Sequence, residues 1–149
     1  MGRSRGGWGS KLHLVVDGAG VPLAVEVTAG QCNESRYVES VINAVRIGRR
    51  RRPKKVAGDK GYSCERVRRW LRRHKMMPVI PTKSNQTPQK DFDREAYRGR
   101  NVVERCVNWM KENRRLGTRY EKLAVNFLAM AKLAMIRRYF RLLDSSDRP

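Results

Sequence analysis

A carboxylate stands among aromatic and basic residues in the segment Tyr97-x2-Arg100-x3-Glu104-x6-Lys111. At about 100° per residue on a helix, Arg100, Glu104 and Lys111 fall within one narrow polar stripe. A second carboxylate, Asp59, follows a short extended run and precedes a glycine and a helical pattern. Two acids on separate elements, each surrounded by Lys and Arg, predict a metal site that acts on phosphodiesters.

The excess of positive charge limits the classes of partner. The chain has 149 residues, with 34 Lys and Arg against 14 Asp and Glu, and a formal net charge of +20. The charge predicts nucleic acid as the partner, because each neutralised phosphate releases counterions. A basic protein of the membrane surface is the alternative. No apolar run approaches the roughly 18 residues of a membrane span and no signal peptide is visible, so we expect a cytoplasmic, nucleoid-associated protein with no membrane partner.

The cysteines and histidines do not follow a metal-binding pattern. Cys32, Cys64 and Cys106 are far apart in sequence, with neither a C-x2-C pair nor a His cluster beside them. We interpret them as reduced, partly buried thiols. His13 and His74 are isolated, and a structural or solvated role is favoured for both over metal ligation.

The elements that must position Asp59 and Glu104 alternate between extended and helical patterns. Residues 1–10, rich in Gly, Arg and Ser, predict a basic loop, and residues 144–149 predict a disordered tail. The residues between them begin with a predicted hairpin of strands at 11–16 and 22–28, followed by a helix that begins at Asn33 and ends near Gly48. Next come a strand at 55–58, a helix capped by Ser63, a strand at 77–81 and a polar loop at 82–98. Two helices are predicted last, at about 100–116 and 119–142, and a Thr118-x2-Glu121 capping box opens the second of them.

This order is that of an α/β domain of the RNase H-like type, a mixed sheet with flanking helices, whose first and central strand is missing. Two motifs, Asp59-Lys60-Gly61-Tyr62 and Tyr97-x2-Arg100-x3-Glu104-x6-Lys111, make the likeness specific. Together they resemble the C-terminal catalytic region of bacterial insertion-sequence transposases of the DDE type, in the subgroup with the Tyr-Arg-Glu-Lys signature. The resemblance extends over about residues 3–140, so residues 11–143 are expected to form a partial catalytic domain.

The resemblance implies an enzyme that carries out strand cleavage and strand transfer in DNA transposition. Such enzymes hold two divalent cations, Mg2+ with Mn2+ as the alternative, between two aspartates and a glutamate. Asp59 matches the second aspartate and Glu104 matches the glutamate. Mg2+ is a hard ion that prefers oxygen ligands, and two ions about 4 Å apart can clamp an in-line displacement at phosphorus.

Basic and aromatic residues around these carboxylates are expected to bind DNA. By the resemblance, Arg100 and Lys111 contact phosphates near the site. Tyr97 positions the DNA or packs beside it, and Lys60 and Tyr62 are placed to assist. Residues 46–55 carry seven bases and no acid, among them Arg49, Arg50, Arg51 and Arg52. Such a run is either solvated or in contact with DNA phosphates, and the overall charge favours the contact. The implied partners are double-stranded DNA at transposon ends and target, the N-terminal part of a transposase, and a second copy of the chain.

The first aspartate of the family has no counterpart in this sequence. No acid precedes Asp17, which opens a glycine turn where Asp is favoured because its side chain bonds to the backbone. Glu26, Glu34 and Glu39 fit an outward strand position, a first helical turn and a solvent-facing helix position. We therefore expect the C-terminal part of a transposase, inactive alone, that arises by translational frameshifting, from a decayed copy or from a late start codon.

Two other functions also fit the charge. A basic fragment that binds DNA, or pairs with an intact transposase, would inhibit transposition without catalysis. A ribosomal or other RNA-binding protein would explain the charge but not the placement of Asp59 and Glu104.

Overall fold

The structure, a computed structural model, describes residues 2–4, 7–48, 52–90 and 92–144, with side chains from residue 9 onward. The chain divides into two compact units, Met1–Cys32 with Val102–Pro149, and Asn33–Asn101. In chain order, the strands and α-helices are β1 (Gly2–Ser4), β2 (Gly7–Val16), β3 (Pro22–Ala29), α1 (Val38–Asn43), β4 (Lys55–Ala57), α2 (Glu65–Arg73), β5 (Met77–Val79), α3 (Arg94–Arg98), α4 (Asn101–Lys111), α5 (Arg114–Gly117) and α6 (Ala124–Leu143). Glu34–Arg36 and Lys60–Tyr62 are short 3-10 helices.

The first unit contains an antiparallel sheet in the order β1, β2, β3. Leu12 is paired with Val27 and Leu14 with Val25, and all four pack in the same core, because alternate residues of a strand face one side. The hairpin predicted at 11–16 and 22–28 is confirmed. The loop predicted for residues 1–10 is wrong, because main-chain hydrogen bonds form a ladder between β1 and β2 that needs no alternating side-chain pattern.

The turn between β2 and β3 is organised by Asp17. Its Oδ1 accepts hydrogen bonds from the backbone N–H of Ala19 and of Val21, each at 2.9 Å. The side chain thus satisfies two backbone donors within the turn. The turn role predicted for Asp17 is confirmed.

Helices α4 and α6 cover the core of the first unit. The buried residues of this core are Val25, Cys106, Met110, Leu116, Phe127, Ala131, Ala134 and Met135. The helix predicted at 100–116 is instead two helices, α4 and α5, separated by a turn in which the Asn113 Nδ2 donates to the carbonyl of Met110 at 3.0 Å. The predicted capping box is also wrong, since α6 begins at Ala124 and the Thr118 hydroxyl donates back to the carbonyl of Arg114.

The second unit is built around a parallel pair, β4 and β5, joined through α2. Val67 and Leu71 of α2 and Val79 of β5 are fully buried. The two strands and the helix are confirmed, but Ser63 does not cap α2. Cys64 occupies the N-cap position, and the buried Ser63 hydroxyl donates to Gln86 at 2.5 Å.

The mixed α/β class is confirmed, with a difference in the sheets. One mixed sheet is predicted, whereas the five described strands form a three-stranded antiparallel sheet and a two-stranded parallel sheet. Of the predicted tail 144–149, Asp144 ends α6 and the remainder lies outside the described residues. Within the described part of the chain, no helix is both long and apolar enough to cross a membrane. Cys32, Cys64 and Cys106 are free thiols and Cys106 is buried, so their predicted state is confirmed.

Candidate functional site

Asp59 follows the C-terminal end of strand β4. The chain leaves the strand at Ala57, and the Gly58 N–H extends the pairing by donating to the carbonyl of Val79 at 3.2 Å. The Oδ1 of Asp59 accepts the N–H of Gly61 at 2.7 Å and so caps the 3-10 helix Lys60–Tyr62. This bond fixes the orientation of the carboxylate, because it opposes rotation of the side chain.

A second carboxylate, that of Glu34, approaches the same turn. A Cβ placed on Gly61 would lie 2.8 Å from Oε2 of Glu34 and 2.9 Å from Oδ1 of Asp59. The two carboxylates therefore converge on one point within the second unit. Burial raises the pKa of the half-buried Tyr62 phenol to about 12, with smaller contributions from the charges of Glu34 and Asp59. Sequence patterns place Glu34 only in a helical turn, and nothing in its spacing from Asp59 signals that they meet.

The carboxylates of Asp59 and Glu34 are ligands of the type that binds a divalent cation. Carboxylate oxygens are the ligands that Mg2+ prefers, and Oδ1 of Asp59 is already oriented by a backbone donor. Across residues 2–4, 7–48, 52–90 and 92–144, no three side chains of His, Cys, Asp or Glu form a group that could hold a metal ion. Asp59 belongs to the second unit and Glu104 to the first.

Glu104 is exposed in the first turn of α4 and Lys111 is exposed in its last turn. This arrangement is favourable, because the N-terminal end of a helix attracts negative charge and the C-terminal end attracts positive charge. The two residues share one helix, as the spacing predicts. The packing of Cys106 and Met110 in the core holds the opposite side of α4 against the first unit.

The loop predicted at 82–98 is wrong at its C-terminal end, which forms a helix, and Arg100 lies just before the helix that is predicted to begin near it. Tyr97 lies in α3, which ends at Gly99, and Arg100 lies in the turn before α4. Glycine disfavours a continuous helix because it loses much backbone freedom when it is ordered. The Arg100 guanidinium lies over the Tyr97 ring, 5.6 Å from its centroid, so an aromatic and a cation are still brought together.

Helix α3 is tied to β4 by an ion pair. Asp93 caps α3 by accepting the N–H of Ala96 at 2.9 Å, and its Oδ2 lies 2.7 Å from Nζ of Lys55. The hydrogen bond from Lys55 lowers the pKa of Asp93, and the hydrogen bond to Asp93 raises the pKa of Lys55. The strand that leads to Asp59 and the helix that carries Tyr97 are thus connected within the second unit.

The predicted basic contacts are described only in part. Lys60 and Arg52 are exposed, whereas Arg49, Arg50 and Arg51 lie outside the described residues. The structure adds cations that the sequence patterns did not single out. Helix α2 exposes Arg66, Arg69, Arg72 and Arg73. Because Lys and Arg are frequent throughout the sequence, the helical spacing of these four arginines does not stand out from it.

The arginines of α2 have different environments. The Arg66 guanidinium donates to Glu39 and to the carbonyl of Ser35. Arg68 is buried at 5% exposure, and its Nη2 donates to the Ser63 hydroxyl at 2.9 Å. Burial, and then the charge of Arg72, lower the pKa of Arg68. Arg69, Arg72 and Arg73 are exposed and available to a polyanion, whereas Arg66 is held by Glu39 and Ser35 and Arg68 has a structural role.

Comparison with known proteins identifies the family. Residues 2–138 match the family model described as the transposase DDE domain. The chain belongs to the DDE transposase family. The predicted resemblance is therefore confirmed, and the RNA-binding alternative is not supported.

Two relatives agree with this assignment to the DDE transposases. The chain is 35% identical over 131 residues to a protein named as a transposase for insertion sequence element IS402 from Burkholderia cepacia, a match that covers 84% of this chain and 60% of that protein. It is 28% identical over 130 residues to a protein named as a transposase for element IS6501 from Brucella ovis, covering 84% of this chain and 93% of that protein. The chain thus spans about three fifths of the length of the IS402 relative. No solved structure matches it.

Proposed function

We propose that this DDE transposase chain contributes to DNA transposition by binding transposon DNA and taking part in metal-dependent strand cleavage and strand transfer. One observation carries the proposal: within the family match, the Asp59 carboxylate stands at the end of a strand and is oriented by a backbone N–H. An RNase H-like catalytic fold is part of the proposal. The antiparallel hairpin and the parallel β4–β5 pair with its connecting helix are compatible with it.

Asp59 and Glu104 are the proposed metal ligands. A divalent cation of the Mg2+ type, with Mn2+ as a substitute, supplies an activated oxygen nucleophile and charge neutralisation at the leaving oxygen when it is bound. The chain contributes ligand orientation. The Gly61 N–H sets the direction of the Asp59 carboxylate, and the buried side of α4 fixes the backbone that carries Glu104.

Cations near these residues are the proposed contacts to DNA. Lys60 lies beside Asp59, Lys111 is two turns beyond Glu104 on α4, and both are exposed. Arg100 and Tyr97 add a guanidinium that can fork to two phosphate oxygens and an aromatic ring beside it. Arg49, Arg50, Arg51 and Arg52 would add affinity without choice of sequence, because phosphate contacts carry no base information. The partner is double-stranded DNA of transposon ends and target.

Catalysis needs one more carboxylate than the two matched positions supply. Asp17, the first acid of the sequence, uses its side chain to hold a turn. We therefore expect the 149-residue chain alone to bind DNA without cutting it. The third ligand would come from an N-terminal transposase segment. A second function follows from the same observation, since a basic chain that binds DNA without cutting it would inhibit transposition by an intact transposase.

The test is strand transfer by a transposase completed with an N-terminal catalytic segment. Asp59→Asn and Glu104→Ala should each lower the rate by at least about a thousandfold, equivalent to ~4 kcal/mol of transition-state stabilisation. Binding to a transposon-end duplex should change by less than about threefold, since the carboxylates do not attract phosphates. Glu112→Gln, at another exposed glutamate just beyond α4, is the matched control. Strand transfer that survives Glu104→Ala would remove Glu104 from the mechanism.

A further inference from the structure

A surface segment between α4 and α6 combines cations with an exposed aromatic ring. This segment, residues 112–123, is called the α5 loop below. Tyr120 within it is 70% exposed and Leu123 is 63% exposed. Lys111, Arg114, Arg115 and Lys122 are exposed at or beside the loop. An exposed aromatic ring surrounded by cations is more typical of a surface that binds nucleic acid than of a surface without a binding partner.

Packing on its inner side fixes the backbone of the loop. Leu116 is buried in the core of the first unit at 8% exposure. Gly117 touches the end of α4 so closely that a Cβ on it would lie 2.5 Å from the carbonyl oxygen of Lys111. Residues other than glycine could not make this approach without a backbone shift. The loop therefore has a defined position relative to Lys111.

Arg119 holds the loop from the side of the sheet. Its φ angle is +49°, a left-handed conformation that residues other than glycine rarely adopt. The guanidinium lies 5.4 Å from the centroid of Phe127, and its Nη2 donates to the Ser10 hydroxyl at 2.5 Å. These contacts turn the Arg119 side chain inward and compensate for the unfavourable backbone. The next residue, Tyr120, is left on the outside.

The Tyr120 ring is supported but not covered. The Arg115 guanidinium lies 5.3 Å from the ring centroid, and Arg115 also pairs with Glu121 at 3.2 Å. The Tyr120 N–H donates to the carbonyl of Arg115 at 3.1 Å. These contacts restrict the ring, yet most of its surface remains in water, where an aromatic ring gains no burial energy. An apolar partner surface would leave the surrounding cations unpaired, whereas a nucleic-acid strand supplies both bases and phosphates.

We propose that Tyr120 stacks on an unpaired base of a DNA strand, while Lys111, Arg114 and Lys122 contact the phosphates of that strand. The inference rests on the proposed function in transposition and extends it to a single-stranded segment of the substrate. Bases within a duplex already stack on each other, so the ring needs a base that is unpaired. The contact tolerates any sequence, because every base has an aromatic face.

The test compares single-stranded and duplex DNA binding by the full chain. Fluorescence anisotropy at fixed salt measures the dissociation constant for a labelled single-stranded oligonucleotide and for a blunt duplex of the same sequence. Tyr120→Ala and Tyr120→Leu should each weaken single-strand binding by about 5- to 150-fold, the range typical of one lost stacking contact. Tyr120→Phe, which keeps the ring, should stay within about twofold of the unchanged chain. Leu123→Ala is the matched control for loss of an exposed apolar side chain of the same loop. Circular dichroism checks that each variant is folded.

The outcomes separate this inference from the proposed function. A loss confined to Tyr120→Ala and Tyr120→Leu on the single strand, with duplex binding unchanged, supports stacking. The inference is overturned if Tyr120→Leu binds the single strand normally, or if duplex binding falls equally. If the unchanged chain binds neither form of DNA, the proposed function fails and the stacking contact fails with it.

Discussion

Gly61→Ala should disrupt the turn that orients Asp59. The new methyl group would lie 2.8 Å from Oε2 of Glu34 and 2.9 Å from Oδ1 of Asp59, closer than real side-chain contacts allow. Glu34 can move because its carboxylate is at the end of a flexible chain. Asp59 cannot move without losing its 2.7 Å bond to the N–H of residue 61. Both carboxylates would therefore be displaced from their common point.

The expected magnitude combines three effects. Overpacking costs roughly 1–3 kcal/mol, and loss of the Asp59 hydrogen bond costs roughly 0.5–1.5 kcal/mol. Replacement of glycine by alanine stabilises by roughly 0.4–1 kcal/mol, because the unfolded chain has less freedom. We expect Gly61→Ala to lower the free energy of unfolding by about 2 kcal/mol, within a range of roughly 0.5–4 kcal/mol, measured by urea denaturation. Gly18→Ala is the matched control, because a Cβ there meets no atom within 4 Å.

A double-mutant cycle separates the two contacts. Glu34→Ala removes one of the two oxygen atoms that the new methyl group would meet. The cost of Gly61→Ala should therefore be smaller by roughly 0.5–1 kcal/mol in a Glu34→Ala background than in the unchanged chain. Equal costs in both backgrounds, or a Gly61→Ala variant as stable as Gly18→Ala, would refute the convergence of the carboxylates on Gly61.

Three further predictions concern the loop, the phenol and the basic helix. Gly117→Ala should lower the free energy of unfolding by ~2–3 kcal/mol in urea titrations, because its Cβ would meet the Lys111 backbone oxygen at 2.5 Å; a change under ~0.5 kcal/mol would contradict that packing. Burial and neighbouring carboxylates raise the pKa of Tyr62 to about 12 in the folded chain, whereas the phenol of the unfolded chain ionises near 10. Between pH 10 and pH 12 the unfolded chain therefore loses this proton while the folded chain keeps it, and roughly 2–3 kcal/mol of stability should be lost. Tyr62→Phe should abolish that part of the alkaline loss in urea titrations at the two pH values, and an unchanged alkaline loss would contradict it. Arg69→Gln with Arg73→Gln, on the exposed face of α2, should reduce the slope of log affinity for duplex DNA against log salt by about 0.9 for each phosphate contact removed, and an unchanged slope would exclude α2 from the DNA surface.

The sequence is most informative where one local pattern determines the structure. The β2–β3 hairpin follows from alternating apolar residues and from Asp17, whose side chain satisfies two backbone donors within four residues. Strand β4 followed by Asp59 is recognisable for the same reason, since the motif Asp59-Lys60-Gly61 closes its own turn. The family is recognisable because both of its motifs are present, each within a short segment and in the expected order along the chain.

Features that depend on competing local signals were not predictable. The helical periodicity from Arg100 to Arg115 is continuous, yet the structure divides it into α4 and α5 because a local turn at Asn113 satisfies the backbone there. Thr118 has the spacing of a helix cap but donates to the preceding helix instead.

Contacts between residues that are far apart in the sequence also could not be predicted from local sequence patterns. The approach of Glu34 to Asp59 brings together residues from separate elements that no local spacing connects. The exposure of Tyr120 is equally unpredictable, because it depends on the inward turn of Arg119 beside it.

The most direct test of the account is to map metal-dependent cleavage of the backbone in the completed transposase bound to transposon-end DNA. Fe2+ bound in place of Mg2+ reacts with added hydrogen peroxide, which oxidises it to Fe3+ and yields hydroxide and a hydroxyl radical that cuts the chain within a few residues of the metal ligands. Cuts are expected near both Asp59 and Glu104, and they should be suppressed by excess Mg2+ and lost at both positions when either residue is changed to its amide. Cuts near only one of the two residues, or cuts that persist in both amide variants, would contradict a shared metal site.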